Sequence, residues 1–209
     1  MTKQKQVIFI GSGGHALPLI EAAKLLNLSI KGFITNSETS PYSDIEILGS
    51  NDVASKFSPK EYDLVLAIGS VDQNSKRESI AQFFYKLGFT FRSIIDPRAI
   101  VSNNAELKEG VQVMAGAYIG PGCIVGKNSI INTRSIVEHQ SQIEDYSHIA
   151  PGAIICGNAR IGRNVFVGAG STVIQGLKID SDVLVAAGSV VVNDLKAGLQ
   201  VKGIPARTY

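Results

Sequence analysis

A six-residue repeat fills the second half of the chain and limits the possible fold more than any other feature. When the sequence is cut into hexads from Ala99 to Asp194, the third position is isoleucine, leucine or valine in all sixteen hexads. The sixth position is glycine, asparagine or aspartate in thirteen of them, and these residues tolerate left-handed or tight-turn backbone. Each hexad therefore predicts one short strand and one turn. Three hexads predict one coil of an all-β parallel β-helix, with the third positions pointing inward.

Composition narrows the class of protein. The 209 residues are 44% hydrophobic with a formal net charge of +2, which excludes a disordered chain and disfavours a nucleic-acid partner. No apolar run is long enough for membrane insertion, and the N-terminus has no signal-peptide pattern. Two cysteines are too few for a disulfide framework. We therefore expect a soluble cytoplasmic protein.

Residues 1–92 lack the hexad and alternate strand and helix signals instead. We predict strands at residues 7–10, 29–34, 63–68 and 89–95, and helices at residues 17–26 and 74–87. This order predicts a Rossmann-like α/β domain with a parallel sheet, followed by a β-helix domain with a C-terminal cap at residues 93–209. On the second helix we assign Lys76, Arg77 and Glu78 to the exposed face.

The turn after the first strand is rich in glycine. Gly11, Gly13 and Ala16 match a loose dinucleotide fingerprint, in which backbone N–H groups and a helix N-terminus meet a phosphate. A tight turn without a ligand is the alternative. An NAD site would place an acid about 20 residues further on, but Thr35 and Asn36 stand there. A mononucleotide or a nucleotide sugar therefore fits better than NAD.

Few side chains in the β-helix can transfer a proton. His139 occupies a fifth position, at a corner of the prism, and the three sixth positions that break the repeat rule surround it: Arg134, Gln140 and Tyr146. Such a local departure favours a functional site, and a solvated surface histidine is the alternative. Gly157 lies one coil further at the same corner, where its N–H could stabilise an oxyanion or simply close a turn.

His148 is a second-position residue, so it lies away from the corner of His139 within one chain. It could meet His139 or a ligand across a subunit boundary, and an ordinary surface histidine is the alternative. A metal site needs at least three convergent ligands, and the β-helix contains only these two histidines. We therefore predict no metal. No serine or cysteine nucleophile motif is present.

The whole chain resembles the sugar acetyltransferases that join a nucleotide-sugar-binding domain to a left-handed β-helix of hexapeptide repeats. These are the PglD and NeuD type, which comprise UDP-4-amino-sugar N-acetyltransferases and sialic-acid O-acetyltransferases. The matching segments are GSGGH (11–15), GFI (32–34), AIG (67–69), SIVEH (135–139), YSHIAPG (146–152), CGN (156–158) and GIPAR (203–207).

The resemblance implies a left-handed β-helix, a homotrimer, and direct acetyl transfer from acetyl-CoA with His139 as the general base. It implies that His148, Ala169 and Ala187 line the CoA channel. A further six residues would hold the nucleotide sugar: Gly13, Gly14, His15, Thr35, Asn36 and Gly69.

The chain departs from this family in two segments. Gln140 stands where a glutamate or aspartate usually orients the catalytic histidine, so Glu138, Glu144 or Asp145 could supply the charge instead. Thr35 and Asn36 replace acids that often meet the nucleotide.

The prediction is an acetyl-CoA-dependent N-acetyltransferase that acts on a nucleotide-linked amino sugar in surface-glycan biosynthesis. Two alternatives are an O-acetyltransferase of a sialic-acid-like sugar and a catalytically weak nucleotide-sugar-binding scaffold.

Overall fold

The N-terminal domain is a parallel sheet with helices packed against it. A computed structural model describes residues 5–70 and 75–209. The elements of this domain are β1 (Gln6–Ile10), α1 (Ala16–Leu25), β2 (Ile30–Ile34), β3 (Ile47–Gly49), a 3₁₀ helix (Asn51–Lys56), β4 (Tyr62–Leu66) and α2 (Ser75–Lys86). The strand order is β3-β2-β1-β4, and all pairs are parallel. β1 is central and covered on both faces, which explains its unbroken apolar sequence.

The predicted elements differ from the observed ones at two strands. Of the strand predicted at residues 89–95, Phe91 forms only an isolated bridge with Leu64 of this domain, and Ile94–Ile95 form the first strand of the β-helix instead. β3 was not predicted, because three residues are too few to show an alternating pattern. Asn74, the predicted start of the second helix, lies outside the described residues.

The second half of the chain is a left-handed parallel β-helix, as predicted. Its strands are β5 (Ile94–Ile95), β6 (Ile100–Val101), β7 (Glu106–Leu107), β8 (Gln112–Val113), β9 (Tyr118–Ile119), β10 (Ile124–Val125), β11 (Ile130–Ile131), β12 (Ile136–Val137), β13 (Gln142–Ile143), β14 (His148–Ile149), β15 (Ile154–Ile155), β16 (Arg160–Ile161), β17 (Phe166–Val167), β18 (Thr172–Val173), β19 (Lys178–Ile179), β20 (Leu184–Val185), β21 (Val190–Val191), β22 (Gln200–Lys202) and β23 (Arg207–Thr208). Every hexad from Ala99 onward contributes one two-residue strand at its second and third positions.

The strands form three sheets that make the three faces of a prism. We name them the polar sheet (β7, β10, β13, β16, β19), the apolar sheet (β6, β9, β12, β15, β18, β21) and the seam sheet (β5, β8, β11, β14, β17, β20, β22, β23). Third-position residues such as Val137 and Ile155 are fully buried inside the prism. Every sixth position from Gly110 to Gly188 has a positive φ, so the corners use left-handed backbone.

The seam sheet packs against the N-terminal domain. Its outward residues Gln112, Ile130 and His148 are buried under that domain. Helix α2 contributes two buried residues, Ala81 and Arg77, and Arg77 is only 1% exposed. The assignment of Arg77 to the exposed face of its helix was therefore wrong. Arg77 and Ala81 are four residues apart and share the face that packs against the β-helix.

No helix within residues 5–70 and 75–209 combines the length and the apolar character that a membrane span requires.

Candidate active site

A cavity of about 510 Å³ opens at the carboxyl ends of β1, β2 and β4. The chain enters the sheet at β1, continues outward through β2 and β3, and returns to the other side of β1 with β4. Ligands of open parallel sheets bind at such a switch point. The cavity wall brings together the six residues predicted to hold a nucleotide sugar: Gly13, Gly14, His15, Thr35, Asn36 and Gly69.

The glycine-rich turn leaves room for a ligand. A Cβ added to Gly13 or Gly14 would meet no atom within 4 Å, so neither glycine is required by packing. Their amide N–H groups and that of His15 have no acceptor among the described residues. These donors precede helix α1, whose N-terminus adds a partial positive charge. The turn is therefore suited to bind an anionic group.

His15 and His148 line the cavity from different domains, with their ring centroids 6.5 Å apart. His15 Nε2 lies 2.8 Å from Gln112 Oε1 and must donate to it. His148 Nδ1 lies 3.1 Å from the Ser70 carbonyl and must donate there, while its Nε2 accepts from Asn132 Nδ2 at 2.9 Å. These contacts define one neutral tautomer for each ring.

Burial keeps both imidazoles uncharged. Desolvation, aided by the positive charge of Arg77, lowers the pKa of His15 to about 4. Desolvation, followed by the effects of His15 and Arg77, lowers the pKa of His148 to about 3. Both nitrogens of His148 are also occupied, so this ring is a fixed structural contact within one chain.

The structure separates His148 from the two alanines expected to share a channel with it. Ala169 and Ala187 lie at one corner of the prism, where the seam sheet gives way to the apolar sheet. Neither alanine lines the cavity that contains His148. The assignment of all three residues to a CoA channel stays a prediction.

His139 lies at a different corner, between the apolar sheet and the polar sheet, and its side chain is exposed. A Cβ added to Gly157 would lie 2.6 Å from His139 Nε2, so the imidazole rests directly on Gly157. Only glycine leaves space for the ring in this position. The structure thus brings His139 and Gly157 together one coil apart, and the Gly157 N–H has no acceptor among the described residues.

Gln140 contacts the other side of this ring. Its Oε1 lies 3.4 Å from His139 Nδ1. When Nδ1 carries the proton for this contact, Nε2 keeps its lone pair and can accept a proton. Of the three acids considered as partners, only Glu138 lies beside His139, where its carboxylate accepts from the His139 amide at 3.4 Å.

Glu144 and Asp145 are engaged at the next corner. Glu144 accepts from the Arg163 amide, and Asp145 accepts from the Lys127 amide and lies 3.7 Å from the Arg163 guanidinium. Of these three acids, Glu138 is therefore the one beside His139, and its carboxylate contacts backbone.

Two of the unusual sixth-position residues, Gln140 and Tyr146, have different structural roles. Gln140 contacts the His139 ring, as the functional interpretation requires. Tyr146, in contrast, is 3% exposed and belongs to a hydrophobic cluster with Phe84 and Phe89 of the N-terminal domain. The interpretation of Tyr146 as part of the site around His139 was therefore wrong, because this side chain anchors one domain to the other.

Sequence reasoning missed four polar residues beside the cavity: Ser70, Arg77, Gln112 and Asn132. Gln112 was detectable in part, since it is a polar residue at a second position of the seam sheet. The others depend on how the domains pack.

No group of three or more histidine, cysteine, aspartate or glutamate side chains in the described part of the chain could hold a metal ion. Both cysteines are free thiols, and burial raises the pKa of Cys123 and of Cys156, which disfavours the reactive thiolate.

Comparison with known proteins identifies the family. Residues 6–84 match the PglD N-terminal domain, and residues 104–139 match the bacterial transferase hexapeptide (six repeats). The acetyltransferase domain of PglB from Neisseria gonorrhoeae FA1090 is 30% identical with a TM-score of 0.93, and the match covers 99% of this chain and 100% of that one. The chain belongs to the PglD-type sugar acetyltransferases.

Further solved structures match over almost the whole chain. The same PglB domain also matches in its complex with acetyl coenzyme A. A histidine-to-alanine mutant of GDP-perosamine N-acetyltransferase from Caulobacter crescentus, in complex with CoA and GDP-perosamine, is 30% identical with a TM-score of 0.92. That match covers 98% of this chain and 96% of the other. A search of curated proteins found no match. The prediction of a hexapeptide-repeat sugar acetyltransferase is confirmed.

Proposed function

We propose that this protein transfers the acetyl group of acetyl-CoA to the amino group of a nucleotide-linked sugar. The observation that carries the proposal is the exposed imidazole of His139, which rests on Gly157 with Gln140 at its other nitrogen. Similarity to an N-acetyltransferase that binds CoA and GDP-perosamine supports this reaction.

The cavity of the N-terminal domain is our candidate for the nucleotide site. The free N–H groups of Gly13, Gly14 and His15 suit a diphosphate, and Lys76 lines the same cavity with a cationic side chain. The polar side chains of Thr35 and Asn36 suit the nucleoside. Neither is an acid, so the identity of the base must be measured.

His139 is our candidate for the general base. Nε2 would take a proton from the sugar amine as its nitrogen attacks the thioester carbonyl. The Gly157 N–H could donate to the oxygen that becomes negative. The C–S bond then breaks, the amide forms, and the thiolate of CoA receives the proton from the His139 imidazolium. No acyl-enzyme is needed.

We infer a homotrimer from the contrast between two faces of the prism. The outward positions of the apolar sheet are almost all apolar: Ile100, Tyr118, Ile136, Ile154, Thr172 and Val190. The corresponding positions of the polar sheet are mostly charged or polar: Glu106, Ile124, Gln142, Arg160 and Lys178. Packing the apolar sheet against neighbouring copies would bury its side chains, of which Ile100 is 64% exposed in one chain.

The same packing would complete the active site. His139 borders one edge of the apolar sheet, and the corner of Ala169 and Ala187 borders the opposite edge. In a cyclic assembly, one edge of each copy meets the other edge of its neighbour. The His139 corner would then face the alanine corner of the next subunit, where small side chains leave space for the pantetheine arm. We therefore infer that the acyl donor binds between subunits.

The cytoplasm is the location that we infer for this reaction. Cys123 and Cys156 are both free thiols, which suits a reducing compartment.

Thiol release from acetyl-CoA tests the proposed function directly. The panel contains UDP- and GDP-linked amino sugars and free sialic acid. Release with a nucleotide-linked amino sugar is the expected result, and it identifies the base. Release with sialic acid alone would instead establish an O-acetyltransferase. No binding of acetyl-CoA at all would favour the scaffold alternative.

A further inference from the structure

Arg77 is a buried cation that connects the two domains behind the cavity. The residue is 1% exposed, and its guanidinium donates to three carbonyl oxygens. Nη1 donates to Leu66 O at 3.3 Å and to Ile68 O, and Nη2 donates to Asn128 O at 2.7 Å. Leu66 and Ile68 belong to the N-terminal domain and Asn128 to a corner of the β-helix. One side chain therefore holds both domains together.

One of the carbonyl groups that Arg77 binds, that of Ile68, belongs to a wall of the cavity, and a second, that of Leu66, directly precedes this wall. Residues 67–70 follow strand β4 and line the cavity, and Ser70 at the end of this segment contacts His148. Leu66 O also accepts from Gln112 Nε2 at 2.8 Å, and Gln112 Oε1 binds His15. Arg77 thus belongs to the buried network that positions both histidines of the cavity. Moving its guanidinium would move the wall and the rings together.

Arg77 also places a positive charge close to the cavity. Among the described residues, no carboxylate lies within ion-pair distance of its guanidinium. Burial lowers its pKa to about 9, which still leaves it protonated at neutral pH. Its field lowers the pKa of both His15 and His148, so this charge acts on the cavity. A buried cation interacts more strongly with an anion than an exposed one does, because water screens it less.

We propose that Arg77 is a positioning residue for nucleotide-sugar binding. It holds the wall formed by residues 67–70 against the β-helix and keeps a positive charge behind the site of the diphosphate. This inference rests on the proposed function, because it assumes that the cavity binds the nucleotide sugar. Arg77 neither lines the cavity nor takes part in acetyl transfer, so its proposed role is distinct from those of the residues described above.

The chain offers a matched control in Arg163. This residue also joins helix α2 to the β-helix, because its guanidinium contacts Glu78, but it does not line the cavity. Arg77→Met removes both the charge and the carbonyl contacts. Arg77→Lys keeps a charge but loses the planar fork that reaches several carbonyls. Arg163→Met breaks a contact between the same elements at a distance from the wall.

The experiment compares KM for each substrate in the wild type and the three variants. We expect Arg77→Met to raise KM for the nucleotide amino sugar by about tenfold, because it removes both the weakly screened charge behind the anion and the contacts that hold residues 67–70 in place. KM for acetyl-CoA should stay within about twofold, because Arg77 contacts neither the corner of His139 nor that of Ala169 and Ala187, between which we place the acyl donor. Arg77→Lys should lie between Arg77→Met and wild type, and Arg163→Met should leave both KM values unchanged.

Three outcomes would overturn the inference. In the first, both KM values rise equally in Arg77→Met. In the second, Arg77→Met and Arg163→Met lower the melting temperature alike and leave both KM values unchanged. If Arg77→Met does not fold, these two criteria apply to Arg77→Lys.

In the third outcome, wild-type protein binds neither UDP nor GDP in calorimetry. That result refutes the nucleotide site and the proposed function before any variant is made, so the two failures are distinguishable.

Discussion

Two histidines of the β-helix, nine residues apart, occupy opposite environments. His139 is exposed at a corner, has a single long side-chain contact of 3.4 Å, and rests on Gly157. His148 is 6% exposed in the seam sheet, and both of its ring nitrogens have partners within 3.1 Å. The comparison shows that position within the hexad decides the role. The fifth position of His139 leaves its side chain exposed at a corner, whereas the second position of His148 in the seam sheet is buried between the domains.

The strongest test of this comparison is His139→Ala. We expect kcat to fall by about 10²–10⁴-fold, which is the usual contribution of a general base. The melting temperature should hardly change, because the side chain is exposed and makes only one long contact. Steady-state kinetics with a nucleotide amino sugar and a thermal melt measure both quantities. A variant that keeps more than about a tenth of wild-type kcat would exclude this role for His139.

Gly157→Ala tests whether the support beneath the imidazole matters. The new Cβ would lie 2.6 Å from Nε2, so the ring must move. We expect kcat to fall by about 10²-fold, since a displacement near 1 Å has effects of that size. KM for the nucleotide sugar should be unaffected because the cavity is elsewhere. Gly198→Ala is the control, because it lies at the corner between the polar sheet and the seam sheet, away from both proposed sites, where an added Cβ meets no atom within 4 Å. Its positive φ can lower the melting temperature, but kcat should stay at the wild-type value. An equal loss in both variants would contradict a specific role for Gly157.

The pH dependence of stability tests the buried environment of His148 and His15. Both have a lower pKa in the folded protein, about 3 and about 4, than the ordinary value of 6.5. Unfolding therefore takes up protons below pH 6.5, and stability falls as the pH is lowered from 6.5 towards 4. The slope is about 1.4 kcal/mol per pH unit for each histidine.

Denaturant titrations between pH 7 and pH 4.5 measure this slope. His15→Gln keeps a side chain that can donate to Gln112, and it should remove about half of the slope contributed by the two histidines. A slope that is the same in wild type and in His15→Gln would show that His15 is charged in the fold.

Gln140→Glu should have the smallest effect. A carboxylate in place of the amide oxygen would stabilise the imidazolium that forms when His139 takes its proton. We expect kcat to rise by about two- to fivefold, within the range of an exposed ion pair. Gln140→Leu, which cannot accept from Nδ1, should lower kcat by a similar factor. If both variants match wild type, Gln140 does not orient the ring.

The hexad pattern predicted every strand from β6 to β21, together with the inward residues and the left-handed corners. It also predicted the contact between His139 and Gly157, because residues 18 apart must lie one above the other in the coil. The N-terminal domain was predicted less completely. Its short β3 strand carries no periodic signal, and its second helix was oriented wrongly at Arg77.

The error at Arg77 has a general cause. A charged residue on a helix is usually exposed, since burying an ion without partners costs free energy. At Arg77, carbonyl groups from two domains supply the partners. Nothing in the local sequence indicates that these carbonyls will converge, because Leu66 and Asn128 are 62 residues apart.

The sequence by itself therefore determined the prism, its buried ladders and the corner of His139. Because the period of six residues is unbroken, equivalent positions of successive coils are 18 residues apart along the chain. The register between neighbouring coils is therefore set by the covalent chain itself. Only the tertiary structure decided which of the three outward faces receives the N-terminal domain. The packing of this domain depends on contacts between segments that are distant in the sequence. Because of it, three outward residues of the β-helix are buried between the domains: Gln112, Tyr146 and His148.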